Sequence, residues 1–206
     1  MLQQGVIKPD QQIKRRGKHG LVKLGNAATL KQWFDENKGK YKQVNLVPTT
    51  TCVQFMIFQI GKTNGRLSNF IVEPMVAHKP EEELYVAIYS KMDHDVVLFF
   101  EQGGVEVGDI DAKAHEVVIP VQTTDAKMCL TKEAAASLVK NVDAKIRAMV
   151  AGFIVELYEV YKLNHFTYLE INPLVVTNGQ IYILDLAAKL DETAAFLCSE
   201  VSLKTN

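Results

Sequence analysis

The chain has 206 residues, 48% of them apolar and 23% charged, the composition of a soluble globular protein of one domain or two small lobes. Its 23 basic and 24 acidic residues nearly cancel, so overall charge gives no reason to expect a nucleic-acid or anionic-membrane partner, and any basic site must be local. No apolar run approaches the roughly 20 residues that span a bilayer, and the start Met1-Leu2-Gln3-Gln4 is no signal peptide. The cysteines Cys52, Cys129 and Cys198 are odd in number and lack the spacing of a metal or redox motif, which predicts a reducing, cytosolic setting.

In chain order, Val6 to Lys8 reads as the end of a strand with no upstream partners. The cationic loop that follows, Asp10 to Gly20, contains Arg16, Gly17 and Gly20. A lone lysine at a strand end beside such a loop is a way to grip polyphosphate, because glycines let backbone N–H groups approach phosphate oxygens. A solvated basic face is the plainer alternative. Leu21 to Leu24 predicts a short strand, Gly25 a break, and Asn26 the N-cap of a helix with Leu30, Trp33 and Phe34 on one face, ended by Gly39.

From Asn69 the pattern turns to strands: Phe70 to Glu73, Leu84 to Tyr89, Asp95 to Phe100 and Val117 to Pro120, with a glycine turn at Gly103-Gly104. Pro74 interrupts an apolar run, which ends pairing and leaves backbone groups for a ligand edge. Glu83 could accept hydrogen bonds from a ribose, although an acidic loop beside an edge strand is the blander reading. Thr131 predicts a helix cap, and Asp143 to Asn164 a longer helix with Ile146, Val150, Phe153, Ile154, Leu157 and Tyr161 as its core stripe. Asn178-Gly179 is a hairpin turn joining Phe166–Pro173 to Ile181–Asp185.

That hairpin carries Glu170 and Asn172 on one face of a strand and Asp185 on the return. Two carboxylates and an amide oxygen in an apolar hairpin are costly unless a cation satisfies them, and an all-oxygen set suits Mg²⁺ with substrate phosphates. The alternative pairs Glu170 with a lysine and lets Asn172 merely end a strand.

Several blocks in order resemble the ATP-citrate lyase family: Lys8-Pro9-Asp10-Gln11 with Ile13 to Lys18, Asn69-Phe70 with Glu73-Pro74, Glu82-Glu83 with Tyr85-Val86, Gly103-Gly104-Val105, Phe166 to Thr177 and Leu184 to Lys189. Succinyl-CoA synthetase β subunits are a more distant likeness. The resemblance implies an α+β ATP-grasp fold of two lobes, truncated at both ends: an incomplete first lobe over 1–72, a second over 73–191 and a divergent tail over 192–206. It implies ATP and Mg²⁺ as cofactors. Lys8, Arg16 and Gly17 would take the phosphates, Pro74 and Val76 the adenine, and Glu83 the ribose. Asn172 and Asp185 would hold the metal, with Glu170 beside them.

The family's full-length enzyme makes acetyl-CoA and oxaloacetate from citrate, CoA and ATP through a phosphohistidine, a step toward lipid biosynthesis. None of the five histidines here is a convincing phospho-acceptor, so no catalytic residue is assigned. Citrate and CoA become partners only in the full enzyme, and the chain alone is expected to be inactive. The alternatives are a non-catalytic protein that pairs with the full enzyme and a succinyl-CoA synthetase β-like fragment.

The pattern departs from the family at about 44–59. This stretch opens Val-Asn and closes Ile-Phe-Gln, as an in-frame unspliced intron would; sequencing the mature transcript tests that origin. The alternative is a surface loop, with Val53 to Phe58 as a contact or aggregation surface.

Overall fold

The computed structural model describes residues 4–11, 13, 16–44, 63–104, 110, 112–121 and 129–198. The atypical stretch at 44–59 therefore lies outside the described residues apart from Val44, as does the tail beyond residue 198. The chain divides into two compact units, Met1–Ala77 and His78–Asn206.

In the first unit β1 (Gly5–Pro9) is the middle strand of an antiparallel sheet, flanked by β2 (Lys23–Gly25) and β5 (Phe70–Pro74). The expectation that Lys8 would sit on a strand without partners is thus corrected: β1 is paired on both sides. Two other boundaries move. Leu21 is a fully buried plug rather than a strand residue, and Gly25 pairs with Gly5 rather than breaking the sheet. Glycine is needed there because a Cβ would come within 2.8 Å of Thr29 in the first turn of α1 (Ala27–Asn37).

Asn26 caps α1 as expected, its Oδ1 accepting from Thr29 N–H at 3.0 Å. Trp33 and Phe34 set their rings edge-on to Phe70, which packs on a small core of Ile13, Leu21 and Leu67. A hairpin, β3 (Tyr41–Val44) and β4 (Thr63–Arg66), brackets the atypical stretch, and Val44 pairs directly with Thr63.

The second unit is a six-stranded antiparallel sheet in the order β10-β9-β6-β7-β8, with β11 also paired to β9. Its strands are β6 (Glu83–Ser90), β7 (His94–Phe100), β8 (His115–Pro120), β9 (Phe166–Thr177), β10 (Gln180–Ile183) and β11 (Leu186–Leu190). The helices α2 (Lys132–Leu138) and α3 (Ala144–Leu163) cover one face, and Thr131 and Asp143 cap them.

Val150, Ile154, Leu157, Tyr158 and Tyr161 of α3 meet Val86, Ile88, Val97, Phe99, Leu169 and Ile171 of the sheet in the main core. Within it the Tyr158 hydroxyl donates to the buried Asp95 carboxylate at 2.9 Å, and Tyr161 and Ser90 share a hydrogen bond at 2.7 Å. The opposite face is a smaller cluster of Tyr85, Ala87, Val96, Leu98 and Ile110. Asn178 and Gly179 both take positive φ, 51° and 71°, the conformation of a two-residue hairpin turn.

Candidate functional site

In β1, Gly5, Ile7 and Pro9 are buried and Lys8 lies in the alternate row. Antiparallel register sets Lys8 opposite Ile71 and Val6 opposite Glu73, so Lys8 and Glu73 are diagonal neighbours. Their ion pair is 2.9 Å long, and the lysine side chain is only 12% exposed. The ammonium is therefore aimed by β5 rather than swinging in solvent.

Arg16 donates from Nη1 to the Pro9 carbonyl at 2.7 Å, tying the basic loop back to the end of β1. The loop closes through Arg16 O, which accepts from Leu21 N–H at 2.9 Å. Of its two glycines, Gly20 has the left-handed φ of +64° that favours glycine; at Gly17 an added Cβ would meet open space. Pro74 is the last residue of β5, opposite Gly5, but pairing does not stop at the proline as expected: Met75 N–H donates to Gln4 O at 3.2 Å, and Val76 follows. Among the described residues the sheet order leaves β5 at the edge, where backbone can face a ligand.

In the second unit β9 does the positioning. Leu169 and Ile171 point into the main core, which puts Glu170 and Asn172 on the other face. The pairs Ile171–Leu186 and Leu174–Ile183 keep one register across the gap between β10 and β11, so Asn172 stands opposite Asp185. Asn172 N–H donates to Asp185 O at 3.0 Å. Asp185 lies between two strands rather than inside one, and β11, which the sequence presents only as a motif, returns along β9 with Ala187 opposite Glu170. Among the described residues no lysine pairs with Glu170; its carboxylate accepts from the Tyr168 hydroxyl.

Glu83 opens β6 and is brought to Asn172 by the Gly103-Gly104 turn. Gly103 N–H donates to Glu83 O at 2.7 Å, and Gly104 N–H donates to Asn172 Oδ1 at 2.6 Å. His78 Nε2 lies 3.2 Å from Glu83 Oε1, both side chains being about four-fifths buried. The resemblance gives the Gly103-Gly104 turn the part of shaping the site, whereas Glu73 and His78 have no role assigned from sequence. Strand register with β1 points to Glu73; nothing in spacing marks His78.

The combination of antiparallel sheets and helices is that of the ATP-grasp class of fold. The family model "ATP-citrate synthase ATP-grasp domain" matches residues 2–201. The chain belongs to that family. It is 49% identical over 95% of its length to a probable ATP-citrate synthase of Caenorhabditis elegans and 42% identical over 94% to the ATP-citrate synthase of Mus musculus, and spans 16% of the length of each.

A probable ATP-citrate synthase subunit 2 of Schizosaccharomyces pombe is 42% identical, and the chain spans 37% of it. Among solved structures, ATP citrate lyase from Methanothrix soehngenii, in complex with citrate and coenzyme A, superposes with a TM-score of 0.76 at 30% identity, over 100% of this chain and 43% of that one. Among the described residues no helix is long and apolar enough to cross a membrane.

Proposed function

We propose that this chain binds Mg²⁺-ATP as the nucleotide-binding part of an ATP-citrate lyase. The observation that carries this reading is the register of β9, which sets Asn172 against Asp185 with Glu170 in the same row and Glu83 tied in through Gly104. The donors are oxygens only, which fits Mg²⁺ in a site completed by water and phosphate. Asn172 and Asp185 would hold the ion, with Glu170 beside them. Asn172 Oδ1 already accepts from Gly104 N–H, and a carbonyl oxygen has a second lone pair to offer. Bound there, the ion would supply charge neutralisation to the phosphates.

Lys8 offers a pre-aimed cation for phosphate, Arg16 and Gly17 the loop that covers it, Pro74 and Val76 an edge for adenine, and Glu83 an acceptor for ribose hydroxyls. Phosphoryl transfer asks a protein mainly for such positioning. In the whole enzyme this step would phosphorylate a histidine outside this chain, on the way from citrate and CoA to acetyl-CoA and oxaloacetate. The free cysteines Cys129 and Cys198 suit a cytosolic protein. The separate subunit in Schizosaccharomyces pombe supports a chain that associates with the rest of the enzyme.

Calorimetric titration with Mg²⁺-ATP tests the reading. The parent is expected to bind, and Lys8→Ala and Asp185→Asn each to weaken binding by about tenfold or more while circular dichroism stays unchanged. A folded parent that takes up no heat of binding would overturn it.

A further inference from the structure

At the Gly103-Gly104 turn the start of β6, His78 and Asn172 of β9 come together. Gly104 has φ +87°, and a Cβ built on it would fall inside the Glu83 carboxylate, far closer than any van der Waals contact. A Cβ on Gly103 would come within 2.5 Å of Leu84 O. The turn is therefore pressed onto the start of β6, and the vacancy left by the missing side chain at 104 is filled by Glu83 itself. From the other side His78 approaches the same carboxylate at 3.2 Å, and Asn172 Oδ1 fastens the Gly104 amide at 2.6 Å.

We propose that Gly104 is a positioning residue for nucleotide selection: its bare Cα seats the Glu83 carboxylate, and Asn172 latches that seat to the metal-holding strand. The consequence is coupling. The acceptor for the ribose and the ligand for the metal share one hydrogen-bonded turn, so disturbing either displaces the other. The nucleotide part of this inference rests on the function proposed above; the seat itself does not.

The experiment separates the two. In ¹⁵N-labelled chain, the His78 ring signals report the Glu83 carboxylate without any ligand. Gly104→Ala is expected to shift them toward their positions in Glu83→Gln, and Asn172→Ala, which keeps the glycine, to move the Gly104 amide upfield and speed its exchange. His78 signals unchanged by Gly104→Ala would overturn the seat. Backbone strain at +87° is the competing account of any loss of stability. A Glu83→Ala background removes the carboxylate, so Gly104→Ala should lower the thermal midpoint less there than in the parent; equal losses in both backgrounds would assign the effect to strain and overturn the proposal.

The selection claim is read by comparing ATP with 2′,3′-dideoxy-ATP. The parent is expected to prefer ATP by about tenfold or more, and Gly104→Ala and Asn172→Ala to reduce the preference to about twofold or less. A preference retained in both variants would overturn it. A parent that binds neither nucleotide would defeat the proposed function, while the His78 signals would still decide the seat.

Discussion

The two units hold their candidate site residues by different means. In the first, Lys8 pairs with Glu73 and Arg16 donates to a carbonyl, and the buried apolar side chains among the described residues are few, Ile7, Ile13, Leu21, Leu30 and Leu67. In the second, Glu170 and Asn172 alternate along β9 with residues locked in a core that runs from β6 and β7 to α3. For the roles proposed above, the contrast teaches that a phosphate grip would rest on adjustable charge, whereas metal ligands would stand on a frame whose register cannot drift.

The largest effect is expected in the frame. Ile154→Ala should cost about 2–5 kcal/mol in urea unfolding, and Leu21→Ala, in the smaller core, about 2 kcal/mol. The reverse order would break the comparison. Alkaline pH should also act on the second unit. Burial raises the Tyr161 hydroxyl to about 12 and, with the Asp95 hydrogen bond, raises Tyr158 further still. The folded state then binds more protons than the unfolded one above pH ~10, so stability is full below that pH and falls as pH rises through ~12. Tyr158→Phe should flatten that slope in pH-dependent melting, and an unchanged slope would count against the buried hydroxyl as its source.

In the first unit, Glu73→Gln should remove one competitor for the Lys8 ammonium and tighten ATP binding by about twofold to fivefold, with a steeper dependence on salt. Weaker binding would show that Glu73 aims the lysine more than it competes for it. A comparably small effect is expected at the hairpin. Replacing residues 45–62 by Asn-Gly between Val44 and Thr63, which already pair, should raise stability by about 1 kcal/mol, measured by thermal unfolding.

Much of this was legible in the residues. Apolar periodicity placed α3, and Asn178-Gly179 placed the hairpin that opposes Asn172 and Asp185, because both signals are local. The caps at Asn26, Thr131 and Asp143 are equally local. Leu21 was misread because a buried plug and a short strand have the same composition, and only tertiary packing separates them. The partners of β1 were missed since β5 pairs with it from the far side of the hairpin. Gly104 gave no sign of its relation to Glu83: a positive φ and a filled vacancy are properties of the folded chain alone.

β9 has one further consequence. Over twelve residues, Phe166–Thr177, it pairs with β6, β10 and β11, carrying core side chains on one edge of its pleat and Glu170 and Asn172 on the other. Inserting or deleting one residue there would exchange the two rows, burying carboxylate and exposing leucine at once. Sequence change in this strand is confined to substitution, while the rung between Val44 and Thr63 can accept length; descendants of this chain can lengthen at one hairpin and must keep count at the other.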